Sequence, residues 1–453
     1  MASVSSALQR IKEDLRAFLP ERAILHACRK AKHRWRQRQL GPVETVHLFI
    51  LQVLNFNTAM AGLRHLSKTA LKAPAYCKAR MRLPLEVLQT LLVQSSATMR
   101  QSCGSSDGLW CGLRAYLVDG SSTIAPDTPD SQKAFGQPSG QKKGCGFPVP
   151  KVLGLFDAFS GLIVQVMGFP LYTHEQSKVW RLHPHLGPGD VLVGDRGFCS
   201  FVHLAMLSGR AAHGLFRIHK TIVNFRPHRK HQHRPPRRGE KGRPSSKFIR
   251  RLGKWDQIVE YFRPAIKPTW MSRKQYSALP DSLRVRELRF LLSHKGQRTQ
   301  VVTVVTTLLD PRRYPKEKMV QLYGVRWQVE THFAELKTTL KMRKVKSKSA
   351  QGVLKELTVY ALVYNLVHLV MLQAARRQQV QPDRISFIDT VRWLINAKLG
   401  EELPDLVINP RRPDRHEPRV IKDLQDSYSK MTRPRAELRQ ELKRKADTAS
   451  RLK

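Results

Sequence analysis

Acidic side chains are scarce in this 453-residue chain: 35 Asp plus Glu stand against 80 Lys plus Arg, a formal charge of +45. That imbalance excludes an ordinary enzyme of small metabolites. It implies a polyanionic partner, because a surface this positive attracts phosphates and releases their counterions. Nucleic acid fits better than anionic phospholipid. Cysteine is equally sparse, with six residues at 28, 77, 103, 111, 145 and 199 and no C-x-x-C pair. Neither a zinc ribbon nor a disulfide framework is indicated, and reduced thiols of the cytoplasm are the expectation. Long apolar runs are missing too. The most apolar stretch, 357–375, is interrupted by Thr358, Asn365, His368 and Gln373, so it reads as a buried core helix rather than a membrane span. Residues 1–20 carry Arg10, Lys12, Glu13, Asp14 and Arg16 and do not resemble a signal peptide. A soluble, cytoplasmic protein without a membrane partner is expected. Hydrophobic residues at 41% are ample for a core and exclude global disorder.

The texture changes along the chain. Residues 1–105 read as a helical N-terminal domain. Pro42 and Glu44 suit the start of a helix over 43–54, a second helix covers 85–99, and 104–108 is a linker. The stretch 29–38 holds six Lys and Arg, a basic edge suited to DNA or simply a solvated face. From 112 to 220 the order is strand (116–119), hairpin pair (151–156 and 162–169), helix (174–183), strand (191–194), helix (201–211), strand (215–218), that of a mixed α/β sheet with helical crossovers. Residues 221–297 read as an insertion with its own small sheet. It opens with a basic loop, 226–254, that carries twelve Lys and Arg against the single acid Glu240. The core resumes over 298–378 with a long helix after Pro315 to about residue 344 and another over 350–375. A helical, basic tail covers 379–453.

Three acids stand out. Asp119 ends the first strand, Asp195 closes the fourth, and Glu330 lies in the helix after the insertion. In a ribonuclease H-like order the first and fourth strands are neighbours, so both aspartates reach one edge, and a helix across that edge can supply the glutamate. Such a set offers hard oxygen ligands suited to Mg²⁺ or Mn²⁺. Two ions roughly 3.5–4 Å apart would drive an in-line phosphodiester displacement. Taken singly, Asp119 and Asp195 are equally well explained as turn formers. The helix adds more. Tyr323, Arg326, Glu330 and Lys337 fall at about 0°, −60°, −20° and −40° around a helix, one stripe that can hold a phosphate between metal and fixed cations, or can be a salt-bridged surface. Glu335 falls near 120°, off the stripe, and is rejected as third ligand.

This Tyr–Arg–Glu–Lys spacing resembles the signature of DDE-type insertion-sequence transposases of the IS-four family. Val118-Asp119-Gly120-Ser121-Ser122 looks like that family's first aspartate motif, and Gly194-Asp195-Arg196-Gly197-Phe198 its second. Residues 75–84, 410–419 and 432–438 look like its flanking segments. The resemblance implies an enzyme with a ribonuclease H-like core interrupted by a β insertion before the last catalytic helix. It would bind terminal inverted repeats, cut double-stranded DNA at transposon ends, and join the 3′-hydroxyls to target DNA. It further implies that Asp119, Asp195 and Glu330 hold two Mg²⁺ or Mn²⁺ ions, and that Tyr323, Arg326 and Lys337 hold DNA phosphate. A homodimer in the DNA complex is expected, and Trp255 or Trp270 would receive a flipped base. A catalytically inactive DNA-binding relic and a nuclease without strand transfer are the alternatives. His228, His231 and His233 read as DNA-contacting residues of the basic loop rather than a zinc site. Glu175 reads as a helix-start residue and Asp157 as a turn former.

Overall fold

The computed structural model describes residues 19–36, 39–66, 72–102, 108–219, 223–225, 245–292, 300–397, 402–409 and 433–451. The stretch 226–244 of the basic loop, with its three histidines, and segment 410–432 therefore lie outside the described residues. The centre is a nine-stranded mixed sheet of order β3-β2-β1-β4-β5-β9-β8-β7-β6. Its strands are β1 (Ala115–Ser122), β2 (Lys151–Asp157), β3 (Ile163–Phe169), β4 (Val191–Gly194), β5 (His213–Arg217), β6 (Ser246–Gly253), β7 (Asp256–Phe262), β8 (Ser282–Leu292) and β9 (Gln300–Thr306). β1 runs antiparallel to β2 and parallel to β4, which runs parallel to β5. The first and fourth strands are thus neighbours. The insertion strands do not form the separate small sheet expected from the sequence. β9 pairs antiparallel with both β5 and β8, joining β6–β9 to the core sheet. The open edge of β5 needs a partner for its backbone groups, and β9 supplies one. β6 closes the far edge with Lys247, Arg250 and Arg251 exposed, charges that discourage further strand addition.

Side chains alternate across the sheet. In β1, Ala115 and Leu117 face one core while Tyr116 and Val118 face the other; Val191 and Val193 of β4 share the first core, and Leu192 the second. The Phe201–Ser208 helix covers the second face. The first is covered by the Ala350–Arg377 helix and by the Pro42–Leu54 and Leu85–Ser102 helices, so the N-terminal helices share a core with the sheet. The Ala350–Arg377 helix is long and apolar enough to cross a membrane by composition, but 94% of its most apolar window is buried inside the protein. Asn365 on it accepts from the Ile163 amide and donates to the Ile163 carbonyl, both at 2.7 Å, mimicking a strand partner for the edge. Its Glu356 accepts from Asn57 and from the amides of Lys346 and Ser347.

Two helical expectations are modified. Segment 174–183 is not an α-helix but part of three successive 3-10 turns, Glu175–Ser177, Val179–Arg181 and His183–His185. Pro184 lacks the amide that a continuing α-helix would use and would crowd the carbonyl four residues back. The long helix after Pro315 is broken into Lys316–Val325 and Gln328–Ala334, followed by a π-helical turn, Glu335–Thr339. At the break the amides of Arg326 and Trp327 reach back three residues, to Tyr323 and Gly324, instead of four.

His203 is fully buried, bonds the Gln176 carbonyl through Nε2 at 2.8 Å and stacks on Trp270 at 5.3 Å. Burial lowers its pKa to about 4 despite the carbonyl bond. Because this lies below the ordinary imidazole value, the unfolded chain takes up the proton first as pH falls. The contribution is complete above about pH 6.5 and is lost between that pH and about 4. Lowering pH from 7 to 5 is expected to cost about 2 kcal/mol through His203 alone. Denaturant melts of the wild type and His203→Gln should show a smaller acid loss in the variant; equal losses would refute this.

Candidate active site

The parallel register of β1 and β4 pairs Val118 with Gly194. The next residue on each strand is an aspartate, so Asp119 and Asp195 stand side by side where the two strands end their pairing. Strand alternation directs both toward the face that carries the Gln328–Ala334 helix, since Leu117 and Val193, two residues earlier, pack with Val329 and Phe333 of that helix. Glu330 comes from this helix. Arg326, at the break just before it, spans the gap: one terminal nitrogen is 3.7 Å from Asp119 Oδ2 and the other 3.6 Å from Glu330 Oε1. Arg217 on β5 approaches Asp195 Oδ1 at 4.0 Å. Asp119 forms the floor, with a side chain 24% exposed, whereas Glu330 is 52% exposed.

Burial pushes the Asp119 carboxyl above its ordinary pKa. The Gly120 amide, which donates to Oδ1 at 2.8 Å, and Arg326 oppose that rise, while the charges of Glu175 and Asp195 add to it. Glu175 comes so near that a Cβ on Gly120 would lie 2.4 Å from its carboxyl group. A side chain at position 120 would push this fourth carboxyl group aside. The three predicted ligands are all carboxylates, the donor chemistry of Mg²⁺ or Mn²⁺, and Asp195 Oδ1 is buried without a hydrogen-bond partner among the described residues. They fit such ions as a set to be completed. Arg326 now stands between two of them, and among the described residues the donor group gathered within 4.8 Å is His332, Glu335 and His368 instead.

The remaining stripe residues divide. Lys337 Nζ donates to Ser121 Oγ at 3.2 Å, so it reaches the same β1 segment as Arg326. Burial, then the nearby Arg343, lowers its pKa. Tyr323 is 1% exposed, packs edge-on against Phe290, and keeps its hydroxyl buried beside Arg326; burial raises its pKa to about 12. It backs the arginine rather than opening to solvent. Trp255 is exposed at the β6–β7 turn under Lys254, while Trp270 is stacked on His203 and Trp180. Glu335 points away from the triad, as its angular position implies, into the His332–His368 group. Sequence reasoning missed Arg217 and the proximity of Glu175. The first was recoverable from strand order, because β5 adjoins β4. The second rests on a chain reversal that left no local signal.

A mixed sheet thus sets two strand-end aspartates beside the broken helix that carries Tyr323, Arg326, Glu330 and Lys337. Residues 110–366 match the Transposase DDE domain family, and the chain belongs to it. The transposase InsG of insertion sequence element IS4 from Escherichia coli (strain K12) is 26% identical over 373 residues, covering 78% of this chain and 77% of that protein. Among solved structures, the piggyBac transposase synaptic complex with hairpin DNA aligns with 87% of this chain and 80% of its own, at 10% identity and a TM-score of 0.40.

Replacing Arg326 by Met removes the cation shared by Asp119 and Glu330. The Asp119 carboxyl should then titrate at still higher pH, followed by carbon-13 NMR of aspartate-labelled protein. An unmoved midpoint would mean that Arg326 is not its countercharge.

Proposed function

We propose that this protein is a cut-and-paste transposase that binds terminal inverted repeats, cleaves DNA at the transposon ends and joins the 3′-hydroxyls to target DNA. The observation that carries this reading is the register step from Val118–Gly194 to Asp119–Asp195 beneath the helix of Glu330. The strand order β3-β2-β1-β4-β5 supports a ribonuclease H-like core, with β6–β9 as the insertion before the last catalytic helix. The partition into an N-terminal DNA-binding part (1–105), a split core (112–220 and 298–378), an insertion (221–297) and a basic tail (379–453) belongs to the same proposal. So do a homodimer on DNA, a cytoplasmic, nucleoid-associated location and the absence of a membrane partner.

Asp119, Asp195 and Glu330 would hold two Mg²⁺ or Mn²⁺ ions, which when bound supply Lewis-acid activation of a water or 3′-hydroxyl and charge neutralisation at the leaving oxygen. The chain's own groups do the rest. Asp119, partly buried, keeps the floor of the site anionic and fixed by the Gly120 amide. Arg326, the countercharge of Asp119 and Glu330, is free to turn to a scissile phosphate once those carboxylates are otherwise neutralised. Lys337 adds a second cation from the π-helical turn, and Tyr323, buried, braces Arg326 from behind. The +45 charge supplies sequence-independent affinity for the duplex, with the exposed Lys247, Arg250 and Arg251 of β6 offering one contact edge.

DNA carrying the inverted repeats that flank the coding region, with Mg²⁺ and a plasmid target, tests the reading. The wild type should cleave the ends and transfer pre-cut 3′-hydroxyl ends to the plasmid. Glu330→Gln should bind the ends within about twofold of wild type while cleaving at least about a hundredfold more slowly. Unchanged cleavage would overturn the site assignment, and cleavage without joining would reduce the protein to a nuclease.

A further inference from the structure

Behind the Glu330 helix lies a group of donors that the transposition reading leaves unused. Glu335 opens the π-helical turn, and its Oε2 lies 3.7 Å from both His332 Nδ1 and His368 Nε2. The Tyr364 hydroxyl lies 3.0 Å from the same oxygen and 2.8 Å from His332 Nδ1. All four side chains are largely or wholly buried; that of His368 is only 6% exposed. The backbone has been brought unusually near, since a Cβ on Gly161 would lie 2.8 Å from the His368 ring and 3.1 Å from that of His332.

One contact in this group has no hydrogen bond, that of His368 Nε2 with Glu335. The Ser160 carbonyl, 3.2 Å from His368 Nδ1, can only accept, so Nδ1 carries the hydrogen. A neutral His368 then presents the lone pair of Nε2 to the Glu335 carboxylate, and this Nε2 has no hydrogen-bond partner. Protonating it would not make a hydrogen bond, because 3.7 Å is too long. Tyr364 donates to Glu335 and can accept from a His332 that carries its proton on Nδ1, and His332 Nε2 is then left buried without a hydrogen-bond partner. Lone pairs facing one another in a buried space are costly unless a cation lies between them.

We propose that Glu335 Oε2, His332 Nδ1, His368 Nε2 and the Tyr364 oxygen, which releases its phenolic proton to solvent on binding, ligate one divalent transition-metal ion of the Zn²⁺ class. Tetrahedral Zn²⁺ with bonds of 2.0–2.1 Å separates its ligands by about 3.3 Å. Four of the six separations among these atoms, 2.8, 3.0, 3.7 and 3.7 Å, straddle that value, and the two imidazole nitrogens lie within 4.8 Å of each other. Two imidazoles favour Zn²⁺ over Mg²⁺. A ligating histidine that donates its other N–H to a carbonyl, as His368 does to Ser160, is the usual outer arrangement of such sites. The ion would pin the helix of Glu330 to the Ala350–Arg377 helix and the β2–β3 hairpin, a structural role separate from phosphodiester chemistry.

Full-length protein carrying Asp119→Asn and Glu330→Gln, which disables the carboxylate triad, is the starting material for the test. Elemental analysis should find about one zinc per chain, and Co²⁺ substitution should give the visible absorption of a four-coordinate ion. His368→Gln or Glu335→Gln added to that chain should cut bound metal at least about tenfold. X-ray absorption of the zinc-loaded starting protein should count two imidazole ligands, a readout independent of whether those variants fold. Metal-free protein that also refuses Co²⁺, or bound metal without imidazole ligands, overturns the proposal. Neither result bears on DNA cleavage, so the two readings fail separately.

Discussion

The parallel pairing of β1 with β4 is the constraint on which the site depends. Two short strands far apart in sequence are locked so that Val118 faces Gly194, and that single register step brings two carboxylates together. A slip by one residue would turn Asp119 toward the opposite core, because strand side chains alternate. The surrounding apolar residues of both strands resist such a slip, since Leu117, Val118, Val191, Leu192 and Val193 are fully buried. The stability of the sheet and the geometry of the site therefore rest on the same packing.

Gathering negative charge at that edge has an electrostatic cost, which the fold answers with arginine. Arg326 shares its guanidinium between Asp119 and Glu330, while Arg217 approaches Asp195 from the neighbouring strand. The break in the helix after Val325 has a part in this. It sets Arg326 at a corner, largely buried, with Tyr323 behind it and Lys337 seven residues beyond Glu330, in the π-helical turn. The same π turn carries Glu335 to the opposite side of the helix, where a buried polar group meets the Ala350–Arg377 helix. One broken helix thus serves two polar environments that do not mix.

Much of this is legible in the amino-acid sequence. The strand runs, the hairpin, the 350–375 helix and the acidic positions follow from apolar periodicity and turn residues, which are local properties. The rejection of Glu335 from the triad followed from helical angle alone. What local pattern could not provide was continuity of the sheet across the insertion: β9 bonds β5 through backbone groups that carry no side-chain signature. Nor could it show the 3-10 turns around Glu175, whose carboxylate reaches Gly120 only because the chain folds back over the end of β1.

Sequence alone pointed to a polyanionic partner, through net charge, and set the spacing of the residues that mark the family, because both are properties of order and composition. Only tertiary structure decided which polar side chains meet. Arg326 with Asp119, Arg217 with Asp195 and His368 with Glu335 are separated by 207, 22 and 33 positions, and their meeting depends on sheet register and helix packing. Ionic contacts act over a few ångströms, and such distances exist only once the apolar core has fixed where each backbone runs.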